Sequence, residues 1–569
     1  MKLKMISRYF LIIFLILKVT LSFPQTSEGE IEDAQIIINK NSKIILKKVD
    51  KKIEKLTLED NLFKKKKIVF DSLYYNSIHD NQKIDKFIRE DNLKLITKKN
   101  TTLVLMGGNY GRLYLNTNPY LINKENLLLG SEIFIDFSNK GSKLGNLSKR
   151  TLSDISLDFD YKINSSNKIN TYLNFLTYNS AYYGIPSISS SYDLYRNDIL
   201  ISKKKYTYDI DWNSSFGSFY SIIKFKAHNF NDLLYDEGSY SIAGSINTEI
   251  GKSIFSLNPK INFYNLENNV PSTESVSKPV SNLKLNKVNI NNFIIPISFN
   301  YTSDNFMILI SGNYTRYLRK LKEKKVINGI YPSFKLKYKF NSLSFLLSGS
   351  KGLFHYKYSD ELNSNPFIYD NYISSQFDIS EDKYRINSEV DIQISKSTNL
   401  SILYQIRNIK GSLDYILSKD NNILNGLPIY LYSISTKKEE EAIQSFSLIL
   451  NSLYSKNLSS SINFVYNKYA EQELFMPIYY LDVVNNYKSS NLSISLGLEM
   501  KLKTYGVYLN TETFKMNEYI NLYLNSSLKI SDSLNFEFNI NNILNRYNEM
   551  YFMYPQLGIN LLTGIKWKF

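Results

Sequence analysis

Asp154-Ile155-Ser156-Leu157-Asp158-Phe159-Asp160-Tyr161-Lys162-Ile163 alternates without a break. Ile155, Leu157, Phe159, Tyr161 and Ile163 fall on one side; Asp154, Ser156, Asp158, Asp160 and Lys162 fall on the other. Successive side chains of a strand point to opposite faces, so this period of two predicts a strand with one apolar and one polar face. The pattern returns along the chain. Leu492, Ile494, Leu496, Leu498 and Met500 oppose Ser493, Ser495, Gly497 and Glu499. Leu534, Phe536, Phe538 and Ile540 oppose Asn535, Glu537, Asn539 and Asn541. Phe334, Leu336, Tyr338 and Phe340 oppose Lys335, Lys337 and Lys339.

A soluble sandwich also alternates, so the connections decide. Short polar turns such as Asn164-Ser165-Ser166-Asn167, Asn341-Ser342 and Ser455-Lys456-Asn457 join one set of strand ends. Longer connections carrying Pro, Gly, Asn and charge join the others, at 184–200, 229–238, 268–290, 355–383 and 417–428. Short turns at one end and long loops at the other are the habit of outer-membrane barrels. The reading is all-β: a transmembrane antiparallel β-barrel of about 22 strands, within a range of about 18–24, over residues 101–569.

Bulk composition agrees. After residue 22 no apolar stretch is long enough for a membrane-crossing helix, whereas barrel strands need only ~9–11 alternating residues. The 46 Tyr and 33 Phe suit a lipid face and interfacial girdles, although AT-rich codon usage also favours Tyr alongside Lys, Asn and Ile. The net charge of +16 is spread singly along strands rather than in one patch, which argues against a nucleic-acid partner. Cysteine is absent, which excludes disulfides, thiolate metal sites and a lipobox anchor. The three histidines, His79, His228 and His355, sit in no local nucleophile–base or metal pattern, so neither an enzyme nor a cofactor is expected.

Residues 1–24 read as a signal peptide: Lys2, Lys4 and Arg8, then an apolar run from Tyr9 to Leu17, then small Ser22. Residues 25–100 read as a periplasmic or lumenal extension, densely charged over Lys40–Lys67. The inward faces are polar and mixed in sign. Asp154, Asp158, Asp160, Lys335, Lys337 and Lys339 are the candidate lumen-lining residues, and no ion selectivity follows from them.

Three places carry a family resemblance. Asn541-Asn542-Ile543-Leu544-Asn545-Arg546-Tyr547, with the ending Leu562-Thr563-Gly564-Ile565-Lys566-Trp567-Lys568-Phe569, resembles the last two strands of TonB-dependent receptor barrels. Gly107-Gly108-Asn109-Tyr110-Gly111 and Tyr182-Tyr183-Gly184-Ile185-Pro186 resemble a Bacteroidota group of such receptor-like proteins, the former leading into a first barrel strand. The resemblance implies a Gram-negative outer-membrane location, lipid as surroundings, and a final strand read by the barrel-assembly machinery through Gly564, Ile565, Trp567 and Phe569. Ile559, Leu561 and Thr563 would extend its lipid face, and Leu562 stands where the family usually has a polar residue. Full receptors carry a plug domain before the barrel, and residues 25–100 show no plug-like pattern. The implied function is receptor-like or porin-like transport through a polar lumen. The alternative is a structural or surface-binding barrel, an adhesin or a scaffold for another envelope protein.

Overall fold

A computed structural model describes residues 101–139, 148–184, 200–232, 234–268, 287–320, 324–369, 379–424, 427–437, 439–469, 475–508 and 512–569. The signal peptide expected over 1–24 and the extension expected over 25–100 lie outside the described residues.

The alternating segments are strands, and each pairs antiparallel with the next. The first strand, Thr102–Gly108, pairs with Arg112–Thr117 on one side and with the last strand, Asn560–Lys568, on the other, so the sheet closes. The sheet contains 24 strand segments. Two spanning strands are each built of two segments, Arg112–Thr117 with Tyr120–Asn123 and Ser253–Leu257 with Lys260–Asn268, so 22 strands circle the barrel. Both breaks fall at a proline, Pro119 or Pro259, which has no N–H for the ladder. Their carbonyls still bond the neighbouring strand, accepting from Ser131 N at 2.9 Å and Gly244 N at 2.8 Å.

Closure gives every strand of the ring a neighbour on both sides over at least part of its length, which suits a bilayer because it offers no water to a free sheet edge. It also sorts the side chains. Ile155, Leu157 and Tyr161 are exposed on the outside, as are Ile330, Phe334 and Tyr338, while the polar partners of each strand face the lumen. Short turns share one end with Phe569, where Lys568 N donates to the Ser533 carbonyl at 2.7 Å. Two-residue turns there use the left-handed region, with Asn341 at φ 48° and Gly217 at φ 59°. In outer-membrane barrels the short turns mark the periplasmic end.

The seam brings together two of the stretches that carry the family resemblance. Asn109-Tyr110-Gly111 is the tip joining the first two strands, not the lead into the first one, because Thr102–Gly108 is already a strand. Tyr110 and Gly111 both have positive φ, 59° and 58°, which makes the tip tight. The Asn109 amide imitates a strand backbone: it donates to the Ile559 carbonyl at 2.6 Å and accepts from Leu561 N at 2.8 Å. A Cβ on Gly108 would run into the Leu561 carbonyl, and one on Gly564 would run into the Leu105 carbonyl. Leu562 points inward and is 1% exposed, packed against the space that Gly108 leaves. Ile565, Trp567 and Phe569 point outward, and the rings of the last two lie 4.9 Å apart.

The Asn542–Tyr547 stretch is a turn held by asparagines. Asn542 and Asn545 take φ 51° and 47°, a region Asn tolerates. The Asn542 amide donates to the Arg546 carbonyl at 2.8 Å and accepts from Arg546 N at 3.0 Å.

Valine at Gly564 should force the seam apart, and the heat-modifiable gel shift of the purified barrel should fall several-fold. Alanine at Gly107, which has open space where a Cβ would go, should leave the shift unchanged.

Candidate functional site

The lumen wall is a mosaic of both signs. Strand register places Asp154, Asp158 and Asp160 inward on Arg150–Lys162. Asp154 accepts from the Asn174 amide, and Lys168 lies 3.4 Å from Asp160. Lys335, Lys337 and Lys339 face inward on Lys324–Phe340, opposite in parity to the exposed Phe334 and Tyr338. Two strands along, Glu389 and Asp391 share the rows of Lys337 and Lys339 through Leu346 and Ser344. The fold thus supplies the acids that the neighbourhood in sequence lacks. Nearer the long-loop end, Arg112 grips Asp136 with two bonds of 2.8 Å, and Arg150 adds a contact of 3.3 Å to the same carboxylate.

The hydrophobic core of the described residues lies at the long-loop end rather than within the membrane span. Connections from across the chain meet there as a cap. Leu413–Leu424 and Leu427–Thr436 pair as a hairpin, so the irregular loop expected over 417–428 is mostly strand. Smaller hairpins form at Tyr505–Val507 with Thr513–Lys515 and at Glu549–Tyr551 with Tyr554–Pro555. Backbone bonds knit these pieces: Tyr430 N to the Gly184 carbonyl at 2.6 Å, Tyr369 N to the Tyr432 carbonyl at 2.7 Å. Tyr358, Leu362, Ile368, Leu417, Tyr432 and Tyr554 are fully buried in the cap. Phe367 stacks on Tyr554 at 3.8 Å, and Tyr183 meets Tyr554 edge-on at 5.1 Å. Each such side chain contributes roughly 1.5–3 kcal/mol by burial. Gly184 is required where it stands, because a Cβ would strike the Tyr430 carbonyl and the Tyr554 ring.

One helix, Tyr358–Ser364, is the latch of this cap. Four strand ends and one loop hairpin hold it. The Tyr358 hydroxyl donates to Asp232 at 2.7 Å. Ser359 donates to Glu237 through its hydroxyl at 2.7 Å and its backbone N–H at 2.8 Å. The Tyr264 hydroxyl donates to the same carboxylate at 3.1 Å, and His228 Nε2 lies 2.8 Å from it. The Lys203 ammonium donates to the Leu362 and Pro366 carbonyls at 3.3 and 3.0 Å, covering the C-terminal end of the helix. The Tyr415 hydroxyl donates to Glu361 at 2.6 Å. Burial pushes the Asp232 carboxyl above its usual range and the Glu361 carboxyl up to about 7, with the bonds from Tyr358 and Tyr415 only partly offsetting it.

The fold therefore assembles Ser359, His228 and Glu237, which no local pattern in the sequence announces. The geometry is not that of a nucleophile relay. A relay uses the two ring nitrogens for different partners. Here Nε2 alone meets both Ser359, at 3.1 Å, and Glu237, and Ser359 is fully buried and already donates to the carboxylate. The arrangement holds a helix in place.

The barrel is similar to several solved outer-membrane proteins. The FrpB iron transporter from Neisseria meningitidis superposes with a TM-score of 0.65 at 10% identity, over 83% of this chain and 82% of that one. The ferripyoverdine receptor of the outer membrane of Pseudomonas aeruginosa gives 0.61 at 11%, over 83% and 72%. The siderophore receptor PirA from Acinetobacter baumannii gives 0.60 at 11%, over 83% and 81%. The likeness is one of fold. No protein-family model matches the chain, and no curated protein does.

Replacing Glu237 by alanine leaves Ser359, Tyr264 and His228 without their shared acceptor, a loss of about 3–5 kcal/mol for a broken buried pair. Limited proteolysis should then cut within 356–369 at least tenfold faster, while the heat-modifiable shift of the barrel stays as it was.

Proposed function

We propose that this chain is an outer-membrane transport barrel of TonB-dependent receptor type whose extracellular mouth is closed by its own loops. The observation that carries the reading is the buried aromatic cap latched by Tyr358–Ser364 over a polar, two-signed lumen. Lumen-lining Asp154, Asp158, Asp160, Lys335, Lys337 and Lys339 would solvate passing solutes without selecting one sign. The Bacteroidota affinity rests on the Gly107–Gly111 and Tyr182–Pro186 runs, of which Gly107–Gly111 builds the seam tip and Tyr182–Gly184 joins the cap. Gly564, Ile565, Trp567 and Phe569 form the final strand offered to the assembly machinery. In the same reading the chain is not an enzyme, and it lacks a plug, so passage is gated by the cap or by a partner envelope protein.

The second reading, a surface-binding barrel, is favoured by the same cap, because a sealed mouth presents a continuous outer surface. Planar bilayers separate the two. The wild type should carry little steady current, and Tyr358→Ala, which unlatches the helix, should open large steps. A capped wild type already conducting as a wide pore would overturn the gated reading. Silence of the unlatched variant would favour the surface-binding one.

The contribution of Glu361 to gating depends on pH with a defined sign. Released from the cap, the Glu361 carboxyl returns to an ordinary value near 4.5, whereas docked it sits at about 7. The docked state thus binds the proton more tightly, so docking is strongest below the released value and weakens as pH rises to about 7, by roughly 3 kcal/mol at most. Buried Asp232 shifts in the same direction. Burial lowers Lys203 to about 7 and His355 to about 4, and both act in the opposite direction, so the test is a difference: Glu361→Gln should lose the part of the closure that the carboxyl adds between pH 8 and pH 5.

A further inference from the structure

The outer wall carries one cationic patch that neither the lumen nor the cap uses. Arg316 and Lys320 lie on Phe306–Lys320, and Lys324 lies on the next strand, Lys324–Phe340. The ladder between these strands runs without a register shift, and it pairs Ile310 with Phe334 and Tyr314 with Ile330. Those four side chains are exposed outward. Arg316, Lys320 and Lys324 share their parity and so point outward too, whereas Thr315 and Tyr317 between them are buried inward. Lys320 and Lys324 stand directly opposite each other, and Arg316 stands opposite Asn328. Like charges directly across a ladder repel unless a counter-charge lies between them.

The counter-charge is not in the neighbouring wall. Among the described residues none of the three makes an ion pair. The nearby acids have lysines of their own: Glu267 with Lys287 at 2.9 Å, and Glu381 with Lys383 at 2.8 Å. Across the run Arg316–Lys325 there are six basic residues and one acid, Glu323.

Depth identifies the counter-charge. Below the patch the outward face of Lys324–Phe340 is uncharged: Ile330, Pro332, Phe334, Leu336, Tyr338 and Phe340. At ~3.4 Å per residue and a tilt of about 40°, this stretch spans roughly 26 Å of height, which is the apolar band of an outer-membrane barrel. Arg316 and Asn328 come immediately above that band, and Lys320 with Lys324 about 10 Å higher. The three cations therefore sit at the headgroup layer on the long-loop side, facing lipid rather than the lumen. We infer that Arg316, Lys320 and Lys324 form a binding site for a phosphorylated lipid of the outer leaflet, its phosphates on the cations and its acyl chains along the Ile310–Ile330–Phe334 wall. A guanidinium with two ammonium groups suits phosphate, since arginine engages it through two N–H groups and lysine as a point charge.

The test uses the full-length barrel in neutral detergent, with diphosphorylated lipid A as probe and native mass spectrometry as readout. The wild type should retain lipid A, and the dephosphorylated form should bind at least tenfold more weakly. The triple variant R316Q/K320Q/K324Q should lose retention by at least tenfold while keeping its heat-modifiable gel shift. Lys204→Gln, an exposed lysine on another strand, should retain lipid A as the wild type does. If the triple variant does not fold, K320Q and K324Q singly should each weaken retention, and unchanged retention in both would sink the proposal. Equal losses in Lys204→Gln and the triple variant would overturn it in favour of diffuse charge attraction. Displacement of lipid A by inorganic phosphate below ~1 mM would overturn it in favour of a soluble anion site, because a lipid held also by its chains resists that competition.

Discussion

A sheet in a bilayer cannot keep an open edge, and everything else in this molecule follows from how that edge is closed. The closing contact is backbone on backbone, between Thr102–Gly108 and Asn560–Lys568. It is narrow enough that Gly108 and Gly564 admit no side chain. Asn109 extends it by one more pair of bonds made with an amide side chain. Once the ring is shut, parity is fixed all the way round. The apolar sets face lipid, the polar sets face the lumen, and the long connections are gathered at one rim.

Most of this architecture was legible in the chain, because it rests on local periodicity. The alternation of Asp154–Ile163 or Leu534–Asn541 needs no distant partner to be read, and turn chemistry such as Asn341-Ser342 marks the ends. The strand count near 22 followed from the same regularity. The proline breaks at Pro119 and Pro259 were not read, since a carbonyl that keeps its partner leaves no trace in composition.

The cap was not legible, and the reason is separation along the chain. Ser359 meets Glu237 across 122 residues, and Tyr182 meets the Ile368 carbonyl across 186. No window contains both members of these pairs. His228, set aside because it sits in no local nucleophile–base or metal pattern, meets Glu237 only when Phe219–Asn231 and Tyr235–Ile250 lie side by side. Glycine was half legible. Gly108, Gly184 and Gly564 were noticed as parts of a family resemblance, but their reason lies in a carbonyl of another strand or loop. The lysine triplet Lys335, Lys337 and Lys339 lacked acids in its own stretch, and the rows of Lys337 and Lys339 lead to Glu389 and Asp391 two strands away.

The hydrogen bonds of Asn109 join residues 450 and 452 positions apart. A contact of that span cannot form until nearly all of the chain has been made, and loop closure of this length is entropically costly and slow. The aromatic cap stands on a ring that such a contact completes. Until then Tyr432, Phe367 and Tyr554 belong to separate connections with no common floor. Biogenesis of this barrel therefore has an obligatory order, with the rim maturing last. The interval before it matures is when these rings are open to chaperones, to proteases and to the wrong partner.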